Sequence, residues 1–385
     1  MMAICLATGV LVNFQRSANR QKQRVQRLLQ MGNVQLFYDY QLTSSKEPAP
    51  PLPFKPSWLG RLVGRDYLHQ VVEANLASPT AEQLDWLVAL PDLEIVKITG
   101  QIEQNSLDQL PQLKRLRNLH LGFHPADSEQ LCPVQFGGIP ELPILSELTI
   151  QNTRLSDQHF RQLGQCPSLQ TLRLLNVQIE LLEDGHTPWT RLREFYWSAS
   201  AAGKRSLDVE FLRYFTRLAT FVFQSNEVID SYYLPGSTNS MGISTLDDTV
   251  LLMLVEAKEL EELSLFRTAV TGSGLPKLSS RKLRKLELPA SQLNDQGLVH
   301  LSRFPELEFL EVGSTDISDD GMISLSHLNK LKTLSIRSTQ ISDLGLQKLQ
   351  LAPNLRHLRI RNSNISASGI EAFEKNHPNC IVDPS

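Results

Sequence analysis

Carboxylates recur beside glycines in the C-terminal half of the chain, at Asp295-Gln296-Gly297, Asp320-Gly321 and Asp343-Leu344-Gly345. Asp-x-Gly opens many calcium loops, but a calcium ion needs roughly six to eight oxygens converging on one point. Each recurrence here brings a single carboxylate and is followed by a helical pattern, so helix capping accounts for it. Cys5, Cys132, Cys166 and Cys380 lie far apart, with no C-x-x-C and no paired histidines, which argues against zinc and against a disulfide framework. The chain has no phosphate-binding loop, nucleophile elbow, H-E-x-x-H helix or dinucleotide fingerprint. No catalytic, metal or cofactor residue is assigned, and the chain is read as a non-enzyme.

The remaining chemistry is recognition. In an L-x-x-L-x-I strand the residues flanking the second leucine point away from the core. That alternation brings out Glu262, Ser264 and Phe266; Lys285, Glu287 and Pro289; Phe309, Glu311 and Gly313; Thr333, Ser335 and Arg337; and His357, Arg359 and Arg361. An acidic centre passes into a basic end at Arg337, His357, Arg359 and Arg361. Two readings stand: a solvated face, or a docking site for an acidic segment of a partner. Tyr196 should face the same side, one residue before a buried Trp197. Phe123, Phe136, Trp189, Tyr232 and Tyr233 fall in irregular joints and are further contact candidates, unless they fold back over the adjacent unit. A net charge of −3, from 38 basic and 41 acidic residues, gives no electrostatic reason to expect nucleic acid.

These residues are positioned by a repeat. Residues 307–330 and 331–354 are two copies of one 24-residue unit. Its first half alternates with period two, as a short strand does, and its second half has the i, i+3 spacing of a helix face. Ser318-Asp319 and Ser342-Asp343 read as helix starts, the serine accepting from a first-turn N–H and the aspartate facing the positive helix end. Such a unit cannot bury its apolar face alone and must stack on copies of itself.

Unit starts fall at Val71, Leu93, Leu116, Leu145, Leu169, Leu192, Leu218, Leu260, Leu283, Leu307, Leu331 and Leu355. From Leu260 onward the steps are 23, 24, 24 and 24, which predicts a regular arc. Between Leu116 and Leu260 they are 29, 24, 23, 26 and 42. Phe223 matches the last buried strand position and Leu246 the first helical one, so the longest step contains an insertion within residues 224–245. The irregular joints should lie along one edge of the sheet.

Residues 1–14 are apolar and uncharged but shorter than a bilayer-crossing helix, and Arg16, Arg20, Lys22, Arg24 and Arg27 follow. They read as a membrane anchor whose first part is missing, with a buried or frayed helix as the alternative; the basic flank then places the repeats on the cytoplasmic side. Without an anchor the expected location is the cytoplasm. Residues 15–31 read as an amphipathic helix ended by Gly32, residues 35–40 as a strand, and the prolines of 47–56 as a linker. Residues 58–72 are amphipathic and would cap the open end of the first unit.

Residues 69–380 resemble the leucine-rich-repeat family, in the T-x-I-x-D-x-G-L variant of ribonuclease-inhibitor-like bacterial repeats. The leading part is similar to the front module of membrane-anchored leucine-rich-repeat proteins of planctomycete-type bacteria. The resemblance implies a curved α/β solenoid of about 12 repeats, with parallel strands on the concave face, short helices on the convex face and an N-terminal helical cap. Thr153, Thr268, Ser291, Thr315, Thr339 and Ser363 occupy positions where many such repeats carry an Asn that bonds the neighbouring turn. The expected function is a protein–protein interaction module, the alternative being a subunit that recruits substrate to an enzyme. No cofactor is expected.

Overall fold

The computed structural model describes residue 16 and residues 19–39, 70–102, 107–124, 142–179, 188–199, 209–225, 246–349 and 352–384. Residues 1–14, the proline linker, Phe136, Tyr232 and Tyr233 lie outside them. Among the described residues no helix is long and apolar enough to cross a membrane. The chain divides into two compact units, residues 1–153 with 165–169, and residues 154–164 with 170–385.

The first unit begins with helix α1 over 19–30. Its apolar face buries Val25 and Leu28 but leaves Leu29 half exposed. Gly32, at φ +76°, turns the chain into β1 (Val34–Tyr38), because a positive φ is open to glycine without steric cost. β1 runs antiparallel to β2 (Val71–Ala77). α2 (Ala81–Val88) opens with a reciprocal capping box between Thr80 and Gln83. β3 (Ile95–Gly100) and β4 (Asn118–Phe123) follow, then β5 (Glu147–Leu155), with each consecutive pair from β2 parallel. Of the cap expected over 58–72, residues 58–69 lie outside the described residues, and Val71 and Val72 belong to strand β2. β1 pairs with β2 at the beginning of the sheet, and just past α1 the Gly32 carbonyl accepts from Gln83 Nε2 of α2 at 2.9 Å.

The second unit contains α3 (Asp157–Gly164), β6 (Thr171–Ile179), β7 (Glu194–Ala199), a 3-10 turn (Glu210–Tyr214) and β8 (Thr220–Ser225). α4 (Thr249–Met253), β9 (Glu262–Phe266) and β10 (Lys285–Glu287) lead into the regular repeats. These are α5 (Asp295–Val299), β11 (Phe309–Glu311), α6 (Met322–Leu325), β12 (Thr333–Ser335), α7 (Asp343–Leu349), β13 (His357–Arg359), α8 (Ala367–Asn376) and β14 (Ile381–Asp383). Strand order is sequence order and every pairing from β6 to β14 is parallel. The fold is the α/β solenoid of leucine-rich repeats. β8 continues through Gln224 and Ser225, so both belong to the strand rather than to the insertion, and β14 extends the sheet past residue 380.

Leu263, Leu286, Leu310, Leu334 and Leu358 stand in register on successive strands, all completely buried. Each contributes about 1.5–3 kcal/mol by leaving water. Polar links tie the same repeats together. Asp295 accepts from the Ser318 N–H and hydroxyl at 2.8 and 2.6 Å, Asp319 from those of Ser342 at 2.8 and 2.5 Å, and Asp343 from those of Ser366 at 2.8 and 2.6 Å. These carboxylates therefore bond the following repeat instead of capping their own helices; Ser342 accepts from the first-turn Leu344 N–H as expected, whereas Ser318 accepts from the Asp320 N–H in the turn before α6, which has no side-chain cap. The paired glycine has a packing reason: a Cβ at Gly345 would meet Asp319 Oδ1 at 2.5 Å. Hydrogen bonds from the Ser366 hydroxyl and N–H hold the Asp343 carboxyl below the usual carboxylate range. Asp320, by contrast, pairs with Lys348 at 2.6 Å.

The expected hydroxyl ladder is also local. Ser291, Thr315 and Thr339 donate to the carbonyls of Leu288, Val312 and Ile336, each three residues back in the same repeat, at 2.6–2.7 Å. A hydroxyl on so short a side chain closes onto its own strand before it reaches a neighbouring turn. On the turns before the strands, Glu308 lies between Lys332 at 2.6 Å and Arg284 at 2.7 Å, whose hydrogen bonds hold its carboxyl down to about 2.

After each strand from β9 to β13 one residue takes a left-handed conformation: Arg267, Ala290, Ser314, Ser338 and Asn362 all have φ between 53° and 58°. The Ala290 N–H donates to the Gly313 carbonyl of the next repeat at 2.9 Å. That bond holds a β-carbon where it clashes with its own backbone. Ala290→Gly is therefore expected to raise stability by about 0.5–1 kcal/mol in denaturant unfolding; a loss of stability would show that the turn is not strained.

Candidate functional site

Tyr196 projects from β7 in register with Val222 and Ser264 on β8 and β9. The Arg173 guanidinium lies 4.8 Å from the centre of its ring, and its hydroxyl donates to Glu194 at 3.4 Å. Burial first, then the Glu194 charge, raises its phenol above the ordinary value. Phe266 ends β9 with Arg267 stacked 5.2 Å above its ring, and Lys285 of β10 lies 5.5 Å from the ring of Phe309 on β11. Each of these aromatic rings is partly exposed and carries a cation, an arrangement that orders both partners at little cost.

The next strands carry the basic residues. Glu311 is almost fully buried, although alternation points it outward. Its Oε1 accepts from the Gly313 N–H at 3.0 Å and its Oε2 lies 3.5 Å from Arg337 Nη2. Arg337 Nε donates to the Ser335 hydroxyl at 3.2 Å. His357 and Arg359 on β13, and Arg361 just beyond it, are exposed. The structure thus places Arg337, His357, Arg359 and Arg361 on two adjacent repeats. It sets Tyr196 six strands from β13, at about 4.8 Å per strand too far for one side chain to touch both.

Two loop candidates are core residues. Phe123 continues the inward alternation of Leu119 and Leu121 to the end of β4 and is buried. Trp189 is buried against Phe160 and Phe215, at centroid distances of 5.9 and 5.1 Å. Gly164 makes room for its indole, since a Cβ there would meet Trp189 Nε1 at 2.7 Å. The parallel strands β6, β7 and β8 end at Ile179, Ala199 and Ser225 on one edge, from which residues 180–187, 200–208 and 226–245 leave the described structure.

On the outer face of the first unit, Lys97 pairs with Glu73 at 2.7 Å, and burial first and Lys97 second push the His120 imidazole below its ordinary value. Cys166 and Cys380 are buried, and burial raises the Cys380 thiol to about 11, so little thiolate forms there near neutral pH. Among the described residues no group of three or more His, Cys, Asp or Glu side chains could hold a metal ion.

A leucine-rich-repeat family model matches residues 306–326, 327–349 and 352–373. No curated protein matches the chain. Among solved structures, an internalin (inlF) from Listeria monocytogenes is similar at 18% identity over 81% of this chain and 86% of that one, with a TM-score of 0.48. An internalin C2 (inlC2) from the same organism is similar at 20% identity over 63% and 81%, with a TM-score of 0.38. The matched residues carry β11 to β13 and are leucine-rich repeats, and the same buried strand pattern continues in register back through β9.

Proposed function

We propose that this chain is a non-enzymatic protein-interaction module, presenting the outward face of its second-unit sheet and the adjacent loop edge to a protein partner. The observation that carries the reading is the fixed register of the outward side chains from β7 to β13, with Phe266 and Phe309 held under cations and Arg337 held between Ser335 and Glu311. Side chains already ordered in the free protein lose little entropy on binding, so more of the contact energy appears as affinity.

Affinity purification with the intact chain, with a Phe266→Ala/Phe309→Ala variant and with residues 226–245 removed is the test. Both changes are expected to lower recovery of the same co-purifying protein by about tenfold or more, as truncation of interface anchors does, while the unfolding transition stays in place. Equal recovery by all three forms sinks the reading.

A further inference from the structure

Charge pairing on the sheet face changes abruptly at β13. From β6 to β12 each cation that strand alternation turns outward has a carboxylate: Arg173 with Glu194 at 3.8 Å, Lys285 with Glu287 at 3.2 Å and Arg337 with Glu311 at 3.5 Å. His357, Arg359 and Arg361 are exposed and, among the described residues, none forms an ion pair. Asp383 stands beside Arg359 in register on β14 and offsets one of these charges at most. Glu311 is turned inward onto the Gly313 N–H, so it orients Arg337 without covering it, and the Arg337 side chain stays 48% exposed.

The floor beside these arginines is flat. Ser335 is fully buried, and a side chain at Gly313 would strike Glu311 Oε1 at 2.7 Å and the Arg337 carbonyl at 2.9 Å. Arg337 and Arg361 are neighbours on successive repeats, joined by the Ser338 N–H donating to the Arg361 carbonyl at 2.8 Å. Adjacent strands are about 4.8 Å apart, and alternate residues on one strand about 6.6–6.8 Å. An extended peptide repeats its same-side residues at that second spacing, and a guanidinium takes a carboxylate with two parallel bonds.

We propose that the outward face of β12 and β13, through Arg337, Arg359 and Arg361, docks an extended acidic segment of a partner protein with carboxylates at alternate positions. This rests on the protein-binding reading above and names the chemistry of the partner. A nucleic acid fits less well, because its continuous phosphate backbone would run on over Glu287 and Glu262, where like charges repel.

The test is fluorescence anisotropy with the full chain and a short dye-labelled peptide of alternating glutamate and threonine, against the same peptide with glutamine. The glutamate peptide is expected to bind at least about tenfold tighter, to weaken with added salt, and to lose about tenfold or more in an Arg359→Ala/Arg361→Ala variant. Arg337→Lys, which keeps the charge but loses the fork, is expected to weaken binding by a smaller factor. Both double-variant positions are exposed, and circular dichroism checks that the fold is kept; the single Arg361→Gln variant serves if the double one unfolds. Equal affinity for the two peptides, unchanged affinity in the variants, or tighter binding of a single-stranded oligonucleotide of equal charge overturns the proposal. If the double variant still captures the intact chain's partner at full affinity, this inference falls and the broader reading stands. Equal recovery by the intact chain, the Phe266→Ala/Phe309→Ala variant and the form without residues 226–245 would remove the broader one.

Discussion

Leu334→Asp is expected to abolish cooperative unfolding of the repeats that carry β11 to β13. Leu334 has no exposed surface and is paired in register with Leu310 on one side and Leu358 on the other. Losing a leucine's contacts in a packed core costs about 2–5 kcal/mol. The new carboxyl adds a charge between the completely buried Leu310 and Leu358, at a cost of several kcal/mol. The sum rivals the roughly 5–15 kcal/mol that holds a whole domain. Burial would raise the folded-state pKa of the new group above its unfolded value, so the damage is greatest at neutral pH and eases as pH falls toward that unfolded value. Because each repeat is stabilised by its neighbours, amide exchange should accelerate first in β11 to β13 and less in β6 to β8. An unchanged melting curve would contradict the strand register.

The register was readable because its signal is local. L-x-x-L-x-I sets which residues are buried within one strand, and repetition of the motif sets which residues of successive strands meet. Leu263, Leu286, Leu310, Leu334 and Leu358 are all in the places that the spacing predicts. Exposure of Arg359 and Arg361 follows from the same alternation. The Asp319–Ser342 bond did not, because it joins residues 23 positions apart, and a local reading of Ser-Asp before a helix finds only a cap. Ion pairing on the face is likewise a property of stacked repeats: Arg337 and Glu311 are 26 positions apart. The left-handed turn residues were hidden for a different reason. Arg267, Ala290, Ser314 and Ser338 hold φ values that usually announce themselves as Gly or Asn, and here the bond to the next repeat imposes the conformation.

In the β7 repeat the helical half is a 3-10 turn, Glu210–Tyr214, and aromatic side chains fill the volume. Phe195 and Trp197 occupy the two strand positions that are leucines in β6, and Phe221 and Phe223 follow in register on β8. Phe211 and Phe215, on and just after the turn, pack on them with centroid distances of 5.2–6.0 Å. Trp197 lies 5.1 Å from Phe223 and 5.7 Å from Phe211, and its indole N–H donates to the Val177 carbonyl at 3.1 Å. Trp197→Ala is therefore expected to destabilise the second unit by about 3–5 kcal/mol through the cavity, with about 1–3 kcal/mol more from the orphaned carbonyl. Trp197→Phe keeps most of the ring contacts and loses the bond, so it should cost about 1–3 kcal/mol. Denaturant unfolding of both variants separates the two effects. Equal costs would mean that the hydrogen bond, rather than the ring volume, holds this part of the array, and a cost below 1 kcal/mol for Trp197→Ala would mean that the neighbouring rings close the gap unaided.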